Sequence, residues 1–213
     1  MKHKRQYIRK QVALRRWLVV LLLLALSCAG LVVNLTPNQA LRDMERGHAL
    51  GKTDILERRN VGPFRFCLSQ NERVLFLSSQ EFRFLYGWLD GAYLPLDLTK
   101  ESGPVDAMQF SASHHDSDRR YHMIVGTTSL ETAVTARVHG CEAYIEGYDY
   151  QSTEDQWTGE ILEKDGFRYF WFGQELSPSI RNMQFSTLDL LDAEGNILCT
   201  FDISPYYGGF SKL

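Results

Sequence analysis

The stretch Trp17–Leu35 is uncharged and nearly all apolar, interrupted only by Ser27, Cys28, Gly30 and Asn34. A helix needs about 20 largely apolar residues to cross the hydrocarbon layer of a bilayer, with about 17 at the short end. A helix lying on a soluble core would show a polar stripe, and this run has none. Seven basic residues precede it (Lys2, Lys4, Arg5, Arg9, Lys10, Arg15 and Arg16), and no acidic residue appears before Asp43. Basic flanks are retained on the cytoplasmic side of a membrane. The sequence therefore predicts a single-pass transmembrane signal anchor over 17–35, a basic cytoplasmic tail over 1–16, and an extracytoplasmic remainder. Trp17 falls where an interfacial aromatic anchor belongs. Two other readings stay open: a secretory signal cleaved near Ala29, which would release the protein, and a lipoprotein with its lipid on Cys28. The apolar residues that continue from Cys28 to Val33 favour the anchor.

With those seven residues set aside, the rest of the chain holds 16 basic against 26 acidic residues. A net-acidic body is a poor nucleic-acid binder, because phosphate contacts need clustered Lys and Arg. Roughly 180 residues beyond the anchor are enough for one domain with its own core. Cys67, Cys141 and Cys199 are three, so they cannot all pair, and the sequence leaves their disulfide status open. They read most simply as buried thiols.

Residues 36–52 read as a juxtamembrane connector with a short helix over Asn38–Arg46, an Asn38 cap and a stop at Gly51. From Thr53 to Leu213 the period changes to two. Phe64, Phe66 and Leu68 share a face with Arg65 opposite. Val134, Ala136 and Val138 alternate with Thr135, Arg137 and His139, and Ile197, Cys199, Phe201 and Ile203 form another stripe. Such stripes mark half-buried antiparallel strands. Asp165-Gly166 and Asp90-Gly91 supply the positive φ angles of tight hairpins, and Asp192–Asn196 reads as a longer hairpin loop. Pro95 inside a strand-like run points to an edge or a bulge. Val74–Leu77 and Tyr169–Phe172 are apolar on both faces and should be central strands. Ten or so short strands without long helices imply a mainly β fold, an antiparallel β-sandwich Ig-like in general architecture.

The densest polar cluster is 114–122. His114, His115, Asp116 and His122 could ligate a transition metal, although the spacing matches no zinc pattern; a solvated loop is the simpler reading. His139 and Cys141, two apart on a strand, raise a thiol nucleophile with its base, but no recognised signature surrounds them. No phosphate loop, dinucleotide fingerprint or Gly-x-Ser-x-Gly elbow is present, and nothing calls for a cofactor. Tyr148, Tyr150 and Trp157 lie among polar residues and are the interaction-loop candidates, since binding residues often sit on loops carried by rigid scaffolds.

The order of elements in His122–Thr128, Val134–Val138, Gly166–Trp171 and Leu188–Leu198 resembles uncharacterised membrane-anchored extracytoplasmic proteins of Gram-positive, clostridial-type bacteria. The resemblance implies a cell-envelope location and a β-sandwich, and it carries over no catalytic residue. Together these features lead to the expectation of a non-enzymatic binding module with an envelope protein or glycan as partner. The alternatives are a metal-dependent envelope hydrolase using the His114–His122 cluster, and a sensor subunit acting through a membrane partner.

Overall fold

The computed structural model describes residues 12–25, 34–83, 87–99, 103–113, 119–145 and 150–203. Helix α1 covers 12–25 and takes in the first part of the apolar run; residues 26–33 of that run lie outside the described residues. Among the described residues no helix is long and apolar enough to cross a membrane.

Helix α2 (Pro37–Gly47) is capped by Thr36, not by Asn38. Pro37 suits the first helical position because its fixed φ is helical and it has no amide to leave unpaired. The Gln39 N–H donates to Thr36 Oγ1 at 3.2 Å and the Thr36 N–H donates to Gln39 Oε1 at 3.1 Å, a reciprocal capping box. Leu41 and Met44 bury against Cys67 and Phe76. Glu45, also buried, accepts from Arg42 Nη1 at 2.5 and 2.6 Å, from the Thr53 N–H at 2.9 Å and from the Thr53 hydroxyl. A buried carboxylate is tolerable only when paired and hydrogen-bonded in this way. The segment read as a connector is thereby fastened to the β body.

Thirteen strands among the described residues form three antiparallel sheets. The first is a meander of β1 (Asp54–Val61), β2 (Phe64–Gln70), β3 (Val74–Arg83) and β4 (Gly87–Asp97). The middle sheet runs β10 (Leu162–Lys164), β11 (Phe167–Glu175), β6 (Arg120–Thr128), β5 (Val105–Ser113). The third runs β13 (Ile197–Asp202), β12 (Ile180–Leu191), β7 (Thr135–Ile145), β8 (Tyr150–Thr153), with β9 (Trp157–Glu160) also paired to β7.

Alternation along the middle strands explains the layering. Tyr121, Met123, Val125, Tyr169 and Trp171 point to the first sheet and pack on Phe64, Phe66, Leu68, Leu75 and Leu77. Ile124, Phe170 and Phe172 point the other way, onto Val138, Phe185, Leu188 and Leu190 of the third sheet. The middle sheet is thus covered on both faces, as the doubly apolar run Tyr169–Phe172 requires. The sandwich packing expected from the stripes is present, with a third sheet added to it.

Asp165 and Gly166, at φ 54° and 76°, close the β10–β11 hairpin, and Pro95 lies on β4, an edge strand, where its missing donor costs no ladder bond. Asp90-Gly91 is not a hairpin turn. It lies inside β4, and β3 pairs with β4 out to Arg83 and Gly87; residues 84–86 lie outside the described residues. Ser79 stands against both Gly91 and Ala92 at a bulge, and a Cβ on Gly91 would come within 2.6 Å of Ser79 Oγ. Glycine is there for a close approach, not for a turn. Cys67, Cys141 and Cys199 carry no disulfide, and burial pushes all three thiols up.

Candidate functional site

Of the residues singled out in the sequence, His114, His115, Asp116 and Tyr148 lie outside the described residues, and Tyr150 opens β8 with its side chain outside them. His122 is not beside a surface loop. It projects from β6 into the interface between the middle and third sheets, edge-on to Trp157 with ring centroids 5.8 Å apart. Both ring nitrogens are taken up: Ser111 Oγ lies 2.9 Å from Nδ1 and Gln109 Oε1 lies 3.1 Å from Nε2. Gln109 is fixed by the backbone of Phe185, whose N–H donates to Oε1 at 2.8 Å and whose carbonyl accepts from Nε2 at 2.7 Å. Oε1 can only accept, so His122 Nε2 carries the proton, and the single Ser111 hydroxyl proton lies between two acceptors, His122 Nδ1 and Asn182 Oδ1 at 3.2 Å. Burial lowers the His122 pKa to about 4. The Nδ1 lone pair faces the Ser111 hydroxyl, and among the described residues no group of three His, Cys, Asp or Glu could hold a metal.

Trp157, expected on an interaction loop, is a core residue at 9% exposure, its ring set edge-on to Phe185 at 4.8 Å. The polar residues before it mislead, because β9 begins at Trp157 itself and alternation turns that first side chain inward. His139 and Cys141 are not brought together. Gly140, at φ 67°, breaks the alternation, so Cys141 enters the core while His139 stays on the outer face of the third sheet.

That outer face carries a polar constellation with a cavity above it. Arg137, Asp189 and Thr200 stand opposite one another on β7, β12 and β13. Asp189 is only 2% exposed. Its Oδ2 accepts from Arg137 Nη2 at 2.6 Å and Nε at 3.3 Å and lies 3.2 Å from His139 Nε2; its Oδ1 accepts from Thr200 Oγ1 at 2.7 Å. Burial pulls the Asp189 pKa up, but the hydrogen bonds from Arg137 and Thr200 and the nearby charges of His139 and Arg137 outweigh it, so the carboxyl sits below its usual range. Arg137, His139, Gln156, Asp189, Ile197 and Thr200 line an open cavity of about 320 Å³.

The sequence held one signal for this site: Asp189 lies in the run Leu188–Leu191, where an acid among core residues needs partners. The lining can hold a small polar ligand through Arg137, His139 and the Gln156 amide, against Ile197 as an apolar wall. Asp189 beside His139 has the form of a base and its orienting acid, yet the Thr200 hydroxyl donates to Asp189 and Cys199 faces the core, so the lining presents no nucleophile to His139. The replacement Asp189→Ala leaves the Arg137 and Thr200 donors unpaired and should cost about 2 kcal/mol, read as a lower urea midpoint.

Comparison with protein-family models, with curated proteins and with solved structures finds no match for this chain.

Proposed function

We propose that the chain is a membrane-tethered, extracytoplasmic binding module without catalytic activity, and that the cavity on the outer face of the third sheet is its ligand site. One observation carries the tether. Every residue from Trp17 to Leu24 on α1 is at least 45% exposed, so two full turns of apolar side chains stay largely uncovered by the described residues. Covering a Leu or Val side chain is worth about 1.5–3 kcal/mol, so leaving eight such residues in water forgoes on the order of 10 kcal/mol or more. Lipid removes that cost, and the basic flank before Trp17 orients the segment with its N-terminus inside.

The binding reading rests on the cavity. Its charged members neutralise each other, and the remaining donors suit hydroxyls or a carboxylate of the kind an envelope glycan carries. Extraction of membranes with alkaline carbonate tests the tether. The full chain should stay in the membrane pellet and begin ahead of Trp17. A chain that washes into the supernatant, or one that begins at Gly30, contradicts it.

A further inference from the structure

The chain that leaves the apolar run is pinned at a defined place on the β body. Asn34 forms a parallel bridge to Gly87, and the Trp88 N–H donates to the Asn34 carbonyl at 2.8 Å. Asn34 follows Val33 directly, so the β3–β4 hairpin end of the first sheet lies next to the point where the apolar run stops.

Two exposed apolar side chains, Phe82 and Leu35, and the partly exposed Trp88 come together there. Phe82 and Trp88 face each other across the hairpin, ring centroids 5.6 Å apart, with Phe82 56% exposed and outside all the core clusters. Leu35 is 65% exposed. It holds the position before the helix cap, where an apolar residue ordinarily staples onto the first turns of its helix. Beside the aromatic pair, the Arg65 guanidinium lies 5.9 Å from the Trp88 ring, and Arg65 Nε and Gln80 Nε2 are buried donors without a partner. Asp90, exposed and opposite Gln80, closes the patch on the side away from the hairpin end.

Aromatic rings combined with unpaired donors suit the membrane–water interface, where one end of a side chain meets acyl chains and headgroup phosphates offer acceptors. We propose that this hairpin end is a second membrane contact: Phe82, Trp88 and Leu35 enter the interface, Arg65 meets headgroup phosphate, and the β domain is held in one orientation on the bilayer. The inference rests on the tether reading. With Asn34 held at the hairpin, the second contact is intramolecular, so weak intrinsic affinity suffices.

The test uses the full chain in liposomes of phosphatidylcholine and phosphatidylglycerol whose acyl chains are brominated near the headgroup, with tryptophan emission as the readout. In the Trp17→Phe variant, Trp88 is the partly exposed indole, while Trp157 and Trp171 are core residues. Its emission should be quenched, and adding either Phe82→Asp or Trp88→Phe should abolish the quenching. Quenching in Trp88→Phe, which retains Trp17, combined with none in Trp17→Phe, overturns the second contact and leaves the tether standing. Quenching in neither variant removes the tether and the inference with it. Equal quenching in Trp17→Phe and the Trp17→Phe/Trp88→Phe double variant assigns the signal to the core indoles and overturns the second contact.

Discussion

Acidification from pH 7 to pH 4 is expected to cost the fold about 3 kcal/mol through the single side chain His122. Its pKa falls from 6.5 to about 4 in the folded protein because burial penalises the imidazolium. Above pH 6.5 the ring is neutral in both states and titration adds nothing. Between pH 6.5 and 4 the unfolded chain takes up a proton that the folded chain refuses, so unfolding gains with every step downward. Below about pH 4 both states hold the proton and the penalty no longer grows. Other groups titrate across the same range, so the informative quantity is the difference between the parent and His122→Gln in urea unfolding at a series of pH values. The parent's stability relative to the variant should fall by about 3 kcal/mol across this window. Parallel curves would show that His122 is not sealed between the sheets.

Replacing Trp157 with Ala is expected to cost about 3–5 kcal/mol, the range for removing a large aromatic from a packed core. Trp157 fills the space between Phe185 and His122, and an alanine there leaves a cavity that two paired sheets cannot collapse into. An exposed binding residue would change stability by no more than about 0.5 kcal/mol. The urea midpoint of Trp157→Ala therefore separates the core role seen here from the interaction-loop role that the neighbouring polar residues suggest. An unchanged midpoint would contradict the packing of β9 against the middle sheet. Trp157 also caps the His122 pocket, so the variant should flatten the pH dependence described above as water reaches the ring.

Much of the β architecture could be read directly from residue order. The stripe Phe64, Phe66, Leu68 and the run Tyr169–Phe172 announced burial on one face and on two, because alternation is a local property of a strand. Asp165-Gly166 announced its hairpin for the same reason. The number of sheets was not legible, since a stripe shows that a face is covered and not which sheet covers it. Asp90-Gly91 was misleading because the same dipeptide serves a tight turn and a bulge, and only the close approach of Ser79 distinguishes them. The candidate site was harder still. Arg137, Asp189 and Thr200 come from three strands, so their meeting depends on register across the sheet. His139 and Cys141 pointed the wrong way, because one left-handed glycine separates two residues that regular alternation would place together.

The central proposal is that a membrane tether holds the β domain on the extracytoplasmic side, and protease treatment of intact cells expressing the full chain tests it most directly. The account predicts that added protease digests the β domain on unbroken cells, while a short N-terminal fragment containing Trp17–Leu24 remains in the membrane. A β domain that survives while known surface proteins are destroyed, and is digested only once the cells are opened, would contradict it.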